Sequence, residues 1–473
     1  MGGIVLGMEI TKNSKIKKYL IYIILFYALL LRLPIIFQHF SGLHAWNEGH
    51  YAMSAVNFYK YGIFNQMNDM GKDYSTTPLV PWMVYISFGL FGVTEWAARL
   101  PNLIFGIFSV YIFFFIAKKL YGENVALFSA LFVSSAHGIV YFSRSLQLES
   151  PFVFFLLSGI YFAIKYQEQQ KISNYILAFV FMGLSVFTKF SAIIGYFPLM
   201  VILLKDNFSK KIIKFIIASF LSLIPTLLWI FHLSVKDLFK LFGFFTRTSE
   251  WSTKELVKAI IKTPAITSEH LGIFIMIFVV FGIVFTVKNI RKNAFILVFS
   301  FIWFALLFPF PKAYLKNAYY DYPALYGFCL IAAISAAKLF ERKQQVTLAL
   351  VLAVIIFGCV KTYRRINKFS SFSENARIYE PSPFYSAKYV AKIRSGTETV
   401  LVDYPQTMFY AGGDPEFIKC IYGSTARYIE NKNYDFIILN YFGGYDFDKA
   451  KKELEMNGYH QIAPLAWKIK DRI

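Results

Sequence analysis

The chain has 473 residues, 57% of them hydrophobic, with 53 Phe and a formal net charge of +21. Apolar runs long enough to cross a bilayer recur as far as residue 360, so the sequence reads as a polytopic membrane protein and excludes a soluble globular enzyme. In a soluble protein such a charge would suggest nucleic acid; here most Lys and Arg of the membrane half stand in short loops between apolar runs, where the positive-inside rule accounts for them, and no nucleic-acid partner is expected.

Lys12, Lys15, Lys17 and Lys18 precede an apolar run over about 19–37 that is too long for a signal-peptide core and lacks a small-residue cleavage site. It reads as a retained first helix with its N-terminus in the cytoplasm. Eleven apolar segments follow from that start, at about 19–39, 96–117, 123–142, 150–166, 173–188, 191–204, 212–232, 270–287, 293–310, 319–338 and 345–360. The stretch 191–204 is short and contains Pro198, so the count could fall to nine or ten, or a broken helix pair could lie there. Loops assigned to the cytoplasm carry Lys118 and Lys119; Lys165 and Lys171; Lys205, Lys210, Lys211 and Lys214; Lys288, Arg291 and Lys292; and Lys338, Arg342 and Lys343, whereas the short outer loops carry only Arg144, Lys189, Lys312 and Lys316. That alternation supports the assignment of faces.

Two outer loops are long, 41–95 and 233–269. In the first, Glu48, Tyr51, Ala52, Ala55, Phe58 and Tyr59 fall at helical spacing ahead of Gly62, which predicts a helix lying along the interface. Residues 79–93 are apolar but short and begin around Pro78 and Pro81, which predicts a second interfacial or re-entrant helix. In the second, Ser252-Thr253-Lys254-Glu255 ahead of Leu256, Val257, Ile260 and Ile261 predicts a capped amphipathic helix. Residues 1–360 thus read as a transmembrane domain and 361–473 as a soluble outer-face domain. In that tail, helical patterns at 383–394, 405–411, 424–431 and 446–457 alternate with strand-like 399–402, 436–439 and 461–463, the pattern of an α/β sandwich. Gly443-Gly444 lacks the spacing of a dinucleotide fingerprint. Of the cysteines, Cys329 and Cys359 fall inside apolar segments and only Cys420 lies in the tail, so no disulfide framework is indicated.

Chemistry can reside where acids and cations gather on the outer side. Glu48 lies just beyond the first apolar segment in His44-Ala45-Trp46-Asn47-Glu48-Gly49-His50-Tyr51-Ala52, and Glu149 lies between the third and fourth segments, on the same face by the count of crossings. Taken alone, either acid could be a solvated loop residue; together they offer a base and a partner that orients or stabilises charge. Arg144 stands five residues before Glu149. Lys312, Lys316 and several tyrosines crowd the loop 310–323, against the positive-inside preference, and want an anionic partner; the plain alternative is an aromatic belt with lysines reaching lipid headgroups.

With these motifs in order, the sequence resembles the polyprenyl-phosphate-sugar-dependent transferases of the GT-C superfamily, including protein O-mannosyltransferases and bacterial aminoarabinose transferases, over roughly residues 19–340. Asn47-Glu48-Gly49-His50-Tyr51-Ala52 is similar to the family's Asp-Glu-x-x-Tyr-Ala with Asn47 in place of the Asp. Thr77-Pro78-Leu79 with Pro81 is similar to its Lys-Pro-Pro-Leu without the Lys, Arg99-Leu100-Pro101 to its Arg-x-Pro, Arg144 through Glu149-Ser150-Pro151 to its second acidic site, and Lys316 to Pro323 to its Lys-x-x-x-Tyr-Tyr-x-x-Pro. The resemblance implies a GT-C membrane fold of about eleven helices with a C-terminal α/β domain, in the cell membrane. It implies transfer of a sugar from a polyprenyl (dolichyl or undecaprenyl) phosphate to a hydroxyl of a protein, lipid or glycan. On that reading Glu48 is the base, either alone or oriented by Asn47, and Glu149 positions the acceptor or supports positive charge on the sugar. Arg144, Lys312, Lys316 and Tyr320 meet the phosphate, and His50 and Tyr51 line the substrate, with His50 and His44 as other candidate bases. No cofactor is expected, and a divalent metal is not indicated. A transporter or flippase of a lipid-linked sugar is the competing class, but it would want ionisable residues inside the spans, which hold almost none.

Overall fold

The computed structural model describes residues 14–40, 44–68, 71–72, 77–205, 208–232, 252–316, 319–378, 383–403, 405–420, 434–439 and 447–469. The predicted helix 424–431, the pair Gly443-Gly444 and the first part of the 233–269 loop lie outside them. The chain divides into two compact units. One comprises residues 1–35, 75–77 and 102–363, and the other residues 36–74, 78–101 and 364–473. The unit that contains the tail therefore also takes in most of the first outer loop.

In the first unit every apolar segment is helical, in whole or in part. Among the described residues six helices are long and apolar enough to cross a membrane, and eight if each of two bent pairs counts as one span. Of the eleven predicted segments, 150–166, 173–188 and 191–204 are helical without meeting that length and hydropathy, because Glu149–Gln169 carries too much polar sequence and the other two are short. The stretch 191–204 is broken, a 3₁₀ turn over Phe190–Gly195 passing into the helix Tyr196–Leu203. Tyr322–Arg342 is the central helix: 83% of its apolar window is buried, against 17% to 56% for the other single spans. Two bends interrupt the bundle. Glu123–Ser135 turns by 63° into His137–Arg144, and Thr253–Leu271 turns by 116° into Ile273–Val287. The second bend falls at Gly272, whose φ of +88° is unfavourable for any residue with a Cβ. The predicted cap is in place, Ser252 Oγ accepting from the Glu255 backbone N–H at 3.2 Å.

In the second unit the tail carries a five-stranded sheet. In chain order its strands, which follow a short antiparallel pair of β1 (Met67–Asn68) and β2 (Gly71–Lys72), are β3 (Val400–Val402), β4 (Ile418–Cys420), β5 (Phe436–Ile438), β6 (Tyr459–Ala463) and β7 (Ala466–Ile469), arranged β4-β3-β5-β7-β6. The β3 strand pairs in parallel with β4 and β5, while β7 runs antiparallel to β5 and β6. Leu401, Ile437, Leu454, Tyr459 and Trp467 form its apolar core. The last helix of the membrane half runs on from Gln344 to Ile378, past the predicted boundary at 361, because Lys361 to Ile378 contains neither Gly nor Pro to stop it.

Candidate functional site

The first acid sits in the second unit. Helix Ala45–Tyr61 begins at the predicted polar stretch and places Glu48 in its first turn, where the positive end of the helix dipole favours a carboxylate. Both oxygens of Glu48 accept from one guanidinium: Arg99 Nε donates to Oε1 at 2.6 Å and Nη2 to Oε2 at 2.9 Å, with both side chains 3% exposed or less. Arg99 also donates to the carbonyls of Ile36 and His39, each at 3.2 Å, and of Gln38, so it ties the turn after the first helix to the acid. A bidentate guanidinium fixes the carboxylate in plane and direction. Asn47, His50 and Tyr51 are buried in the same helix, and the rings of His50 and Tyr51 meet edge to face at 5.3 Å.

The same helix packs on the tail. At Gly49 a Cβ would stand 2.5 Å from the Gln406 nitrogen and 2.8 Å from the Pro405 carbonyl carbon, so only glycine lets the two backbones approach this closely. Nearby, the Tyr410 hydroxyl accepts from the Phe40 N–H at 2.8 Å and donates to Glu95 at 3.1 Å, while His39 Nδ1 lies 2.9 Å from the same Glu95 oxygen. Further along, Lys60 pairs with Asp414 at 2.9 Å and Glu416 at 2.8 Å. The helix predicted to lie along the interface on one apolar face is instead buried on nearly all sides from Ala45 to Phe58. Helix Leu79–Phe91 flanks it, with Tyr59 donating to the Tyr85 carbonyl at 3.1 Å and Trp82 to that of Ile63 at 2.7 Å.

The second acid sits in the first unit. Glu149 is the first residue of Glu149–Gln169 and its Oε1 lies 2.5 Å from Nζ of Lys189, which stands at the break between helix Ile172–Thr188 and the 3₁₀ turn. Glu149 is 2% exposed and Lys189 14%. The ammonium lies 4.2 Å from the ring centre of Tyr319, 5.0 Å from Tyr320 and 5.8 Å from Phe152. Asn102 pins the segment that leads to Glu149, its amide donating to the carbonyls of Ser145 at 2.8 Å and Gln147 at 2.6 Å, while Ser150 donates back to the Asn102 carbonyl at 2.9 Å. Arg144 is buried, with its guanidinium 6.0 Å from the Tyr141 ring centre. Burial, and then the Glu149 charge, push the Tyr320 phenol up to about 12, so it is a hydrogen-bond donor at neutral pH. Lys312 and Lys316 lie on the short helix Pro311–Lys316; Lys312 is half-buried, and the Lys316 side chain is outside the described residues.

Residues 75–230 match the family model described as dolichyl-phosphate-mannose-protein mannosyltransferase. The chain is 30% identical over 168 residues to an uncharacterized protein of Aquifex aeolicus, 34% of each chain, and 30% identical over 108 residues to the putative mannosyltransferase YycA of Bacillus subtilis, 23% of this chain and 16% of that one. It therefore spans about a third, or less, of the length of these curated relatives. Among solved structures it superposes on ArnT from Cupriavidus metallidurans bound to undecaprenyl phosphate with a TM-score of 0.66 at 13% identity, covering 98% of this chain and 97% of that one. It also superposes on the archaeal oligosaccharyltransferase AglB from Archaeoglobus fulgidus, in complex with an inhibitory peptide and a dolichol-phosphate, with a TM-score of 0.58 at 10% identity, covering 96% and 74%. The chain has the GT-C fold.

Within this GT-C fold the sequence reading missed the partners of its acids. Arg99 entered only as part of an Arg-x-Pro motif, and Lys189 only as an outer-loop charge. The signal for Lys189 was its place, a cation closing an apolar helix on the side where the loops are otherwise poor in charge. A third buried pair had no sequence signal at all. His270 Nδ1 lies 3.0 and 3.1 Å from the two oxygens of Asp321, and Thr267 donates to the same carboxylate at 3.1 Å. The pair closes on the bend at Gly272 and fixes the residue that follows Tyr319 and Tyr320. Among the described residues no group of three or more His, Cys, Asp or Glu is arranged to hold a metal ion.

Proposed function

We propose that this GT-C protein is an integral membrane glycosyltransferase that moves a hexosyl or pentosyl unit from a polyprenyl phosphate, dolichyl or undecaprenyl, to an acceptor hydroxyl on the extracytoplasmic face. The observation that carries the reading is the pair of buried carboxylates at the two acidic motif positions, each paired with a cation: Glu48 with Arg99 and Glu149 with Lys189. Buried charges are costly to keep, and two of them at motif positions argue for use rather than stability. The likeness in fold to proteins solved with undecaprenyl phosphate and dolichol-phosphate supports the donor class.

In this mechanism the acceptor oxygen bonds to the anomeric carbon as the bond from that carbon to the phosphate oxygen breaks. The acceptor proton goes to Glu48, and the polyprenyl phosphate leaves as the anion. Arg99 holds the Glu48 carboxylate in one plane and direction, and the acceptor hydroxyl is brought to that carboxylate. Asn47 orients Glu48, His50 and Tyr51 line the sugar, and Glu149 stabilises positive charge on the sugar ring. Arg144, Lys312, Lys316 and the Tyr320 hydroxyl receive charge that develops on the leaving phosphate. The acceptor is a protein, lipid or glycan hydroxyl, the N-terminus is cytoplasmic and the tail extracytoplasmic. Incubating the purified protein in lipid with radiolabelled polyprenyl-phosphate sugars and candidate acceptors tests the reading. Label should move to an acceptor and Glu48→Gln should slow the transfer by about 10² to 10⁴ fold; failure of every donor to be used by the native protein refutes it.

A further inference from the structure

The Glu149–Lys189 pair has a geometry that a simple structural salt bridge does not call for. Three aromatic rings surround the ammonium, at 4.2, 5.0 and 5.8 Å from their centres, and among the described residues Glu149 is the only side chain that accepts a hydrogen bond from it. The rings stabilise a cation through their faces while offering it no hydrogen-bond acceptor there. An ammonium has three donors, so Lys189 is held in place with donor capacity in reserve. The Glu149 carboxylate is itself placed by the first turn of its helix, whose dipole suits any anion.

We propose that Lys189 is a further cation that receives the donor's phosphate, beside those named above, and that Glu149 is its resident counter-ion, so that phosphate binding and the Glu149–Lys189 ion pair compete; this rests on the glycosyltransferase reading above. The physical reason is crowding of like charge. A phosphate oxygen brought within hydrogen-bond distance of Nζ would stand a few ångströms from the Glu149 carboxylate, and two anions that close in a site of low dielectric repel strongly. Arrival of the phosphate therefore turns Glu149 away from Lys189, and the released carboxylate becomes available to the sugar that the same phosphate carries. An empty site keeps the acid paired, and only a phosphate-bearing ligand frees it. The ligand chemistry is an anionic phosphate group, which a polyprenyl phosphate, a bilayer phospholipid headgroup or free phosphate could each present.

Binding of farnesyl phosphate to the purified protein in detergent, followed by calorimetry, separates these sources when inorganic phosphate and phosphatidylglycerol are titrated in parallel. Native protein should bind farnesyl phosphate and bind the other two at least tenfold more weakly. Lys189→Met should weaken farnesyl phosphate about 10- to 100-fold, the loss of one charge-assisted contact, and Lys189→Arg should restore part of it. Glu149→Gln should act with the opposite sign, tightening farnesyl phosphate severalfold while sugar transfer falls, and this variant keeps the test valid even if Lys189→Met does not fold. Weakening by both Lys189→Met and Glu149→Gln marks the pair as a structural brace and overturns the competition, as does a Lys189→Met protein that binds within twofold of native. Equal affinity for phosphatidylglycerol overturns the assignment to the donor. If the native protein transfers no sugar yet shows these opposite shifts, the glycosyltransferase reading fails while the phosphate site stands.

Discussion

Held by Arg99 on both oxygens, Glu48 has a fixed orientation, and its orientation and its basicity can be separated by substitution. Glu48→Gln keeps the size of the side chain but cannot take a proton, so turnover should fall by about 10² to 10⁴ fold while donor binding survives. Asn47→Asp places a second acid beside it and should leave activity intact or raise it. Arg99→Met leaves Glu48 buried without its cation and should destabilise the protein by about 3 to 5 kcal/mol, measured as unfolding in detergent; an unchanged midpoint would show that the pair is not buried in the native protein. Arg144→Ala and Lys316→Ala should each weaken donor binding by about 1.5 to 3 kcal/mol, and unchanged donor affinity in both would return these residues to headgroup anchoring. The acids themselves were legible because charged residues in outer loops next to long apolar runs stand out. Their partners were not, since Glu48 and Arg99 are separated by 51 residues and Glu149 and Lys189 by 40, and pairing at that range follows from helix packing and not from any local pattern.

At the scale of elements, the helices were readable from hydropathy and the caps from Ser252 and Gly62, while two tail strands were not. Ile418–Cys420 is three residues long, too short to show alternation, and acquires its conformation by pairing with Val400–Val402. Ala466–Ile469 follows its partner strand after only Pro464 and Leu465, so the hairpin reads in sequence as one irregular stretch. The helix over 45–61 was found but its surroundings were misjudged, because the Pro405–Tyr410 helix that covers it is remote in sequence. Gly49→Ala tests that cover: the added methyl meets backbone at Pro405 and Gln406, and overpacking of this kind should cost about 1 to 3 kcal/mol, seen as a lower unfolding temperature. The clamp at Lys60 has a defined dependence on pH. Burial alone would raise the Asp414 carboxyl, but hydrogen bonds led by that from Lys60 hold it below its usual range, while bonds to Glu416 and then Asp414 raise the Lys60 ammonium. A depressed carboxyl gives stability that is present above its ordinary pKa and lost on acidification; a raised ammonium gives stability that is present below its ordinary pKa and lost only in strong alkali. Resistance of the tail to limited proteolysis should therefore fall as the pH drops below about 4, and Asp414→Asn should flatten that dependence.

For the molecule as a whole, the side on which the tail lies follows from the number of crossings, and Cys420 at the end of its strand reports it. An impermeant thiol reagent should label Cys420 in intact cells, and labelling that requires lysis would place the tail in the cytoplasm and demand an even number of spans. The composition of the second unit also sets a timetable for biosynthesis. Phe40 and Tyr410, joined by one of its hydrogen bonds, are 370 residues apart in the chain. At a translation rate of about 5 to 20 residues per second, the segment bearing Glu48 emerges roughly 20 to 75 s before the helix that seats Gly49 has been made. During that interval the nascent membrane protein carries its proposed base without the tail helix that packs on Gly49. Chains interrupted before residue 405 would lack that cover, so the seat of Gly49 is completed late in synthesis.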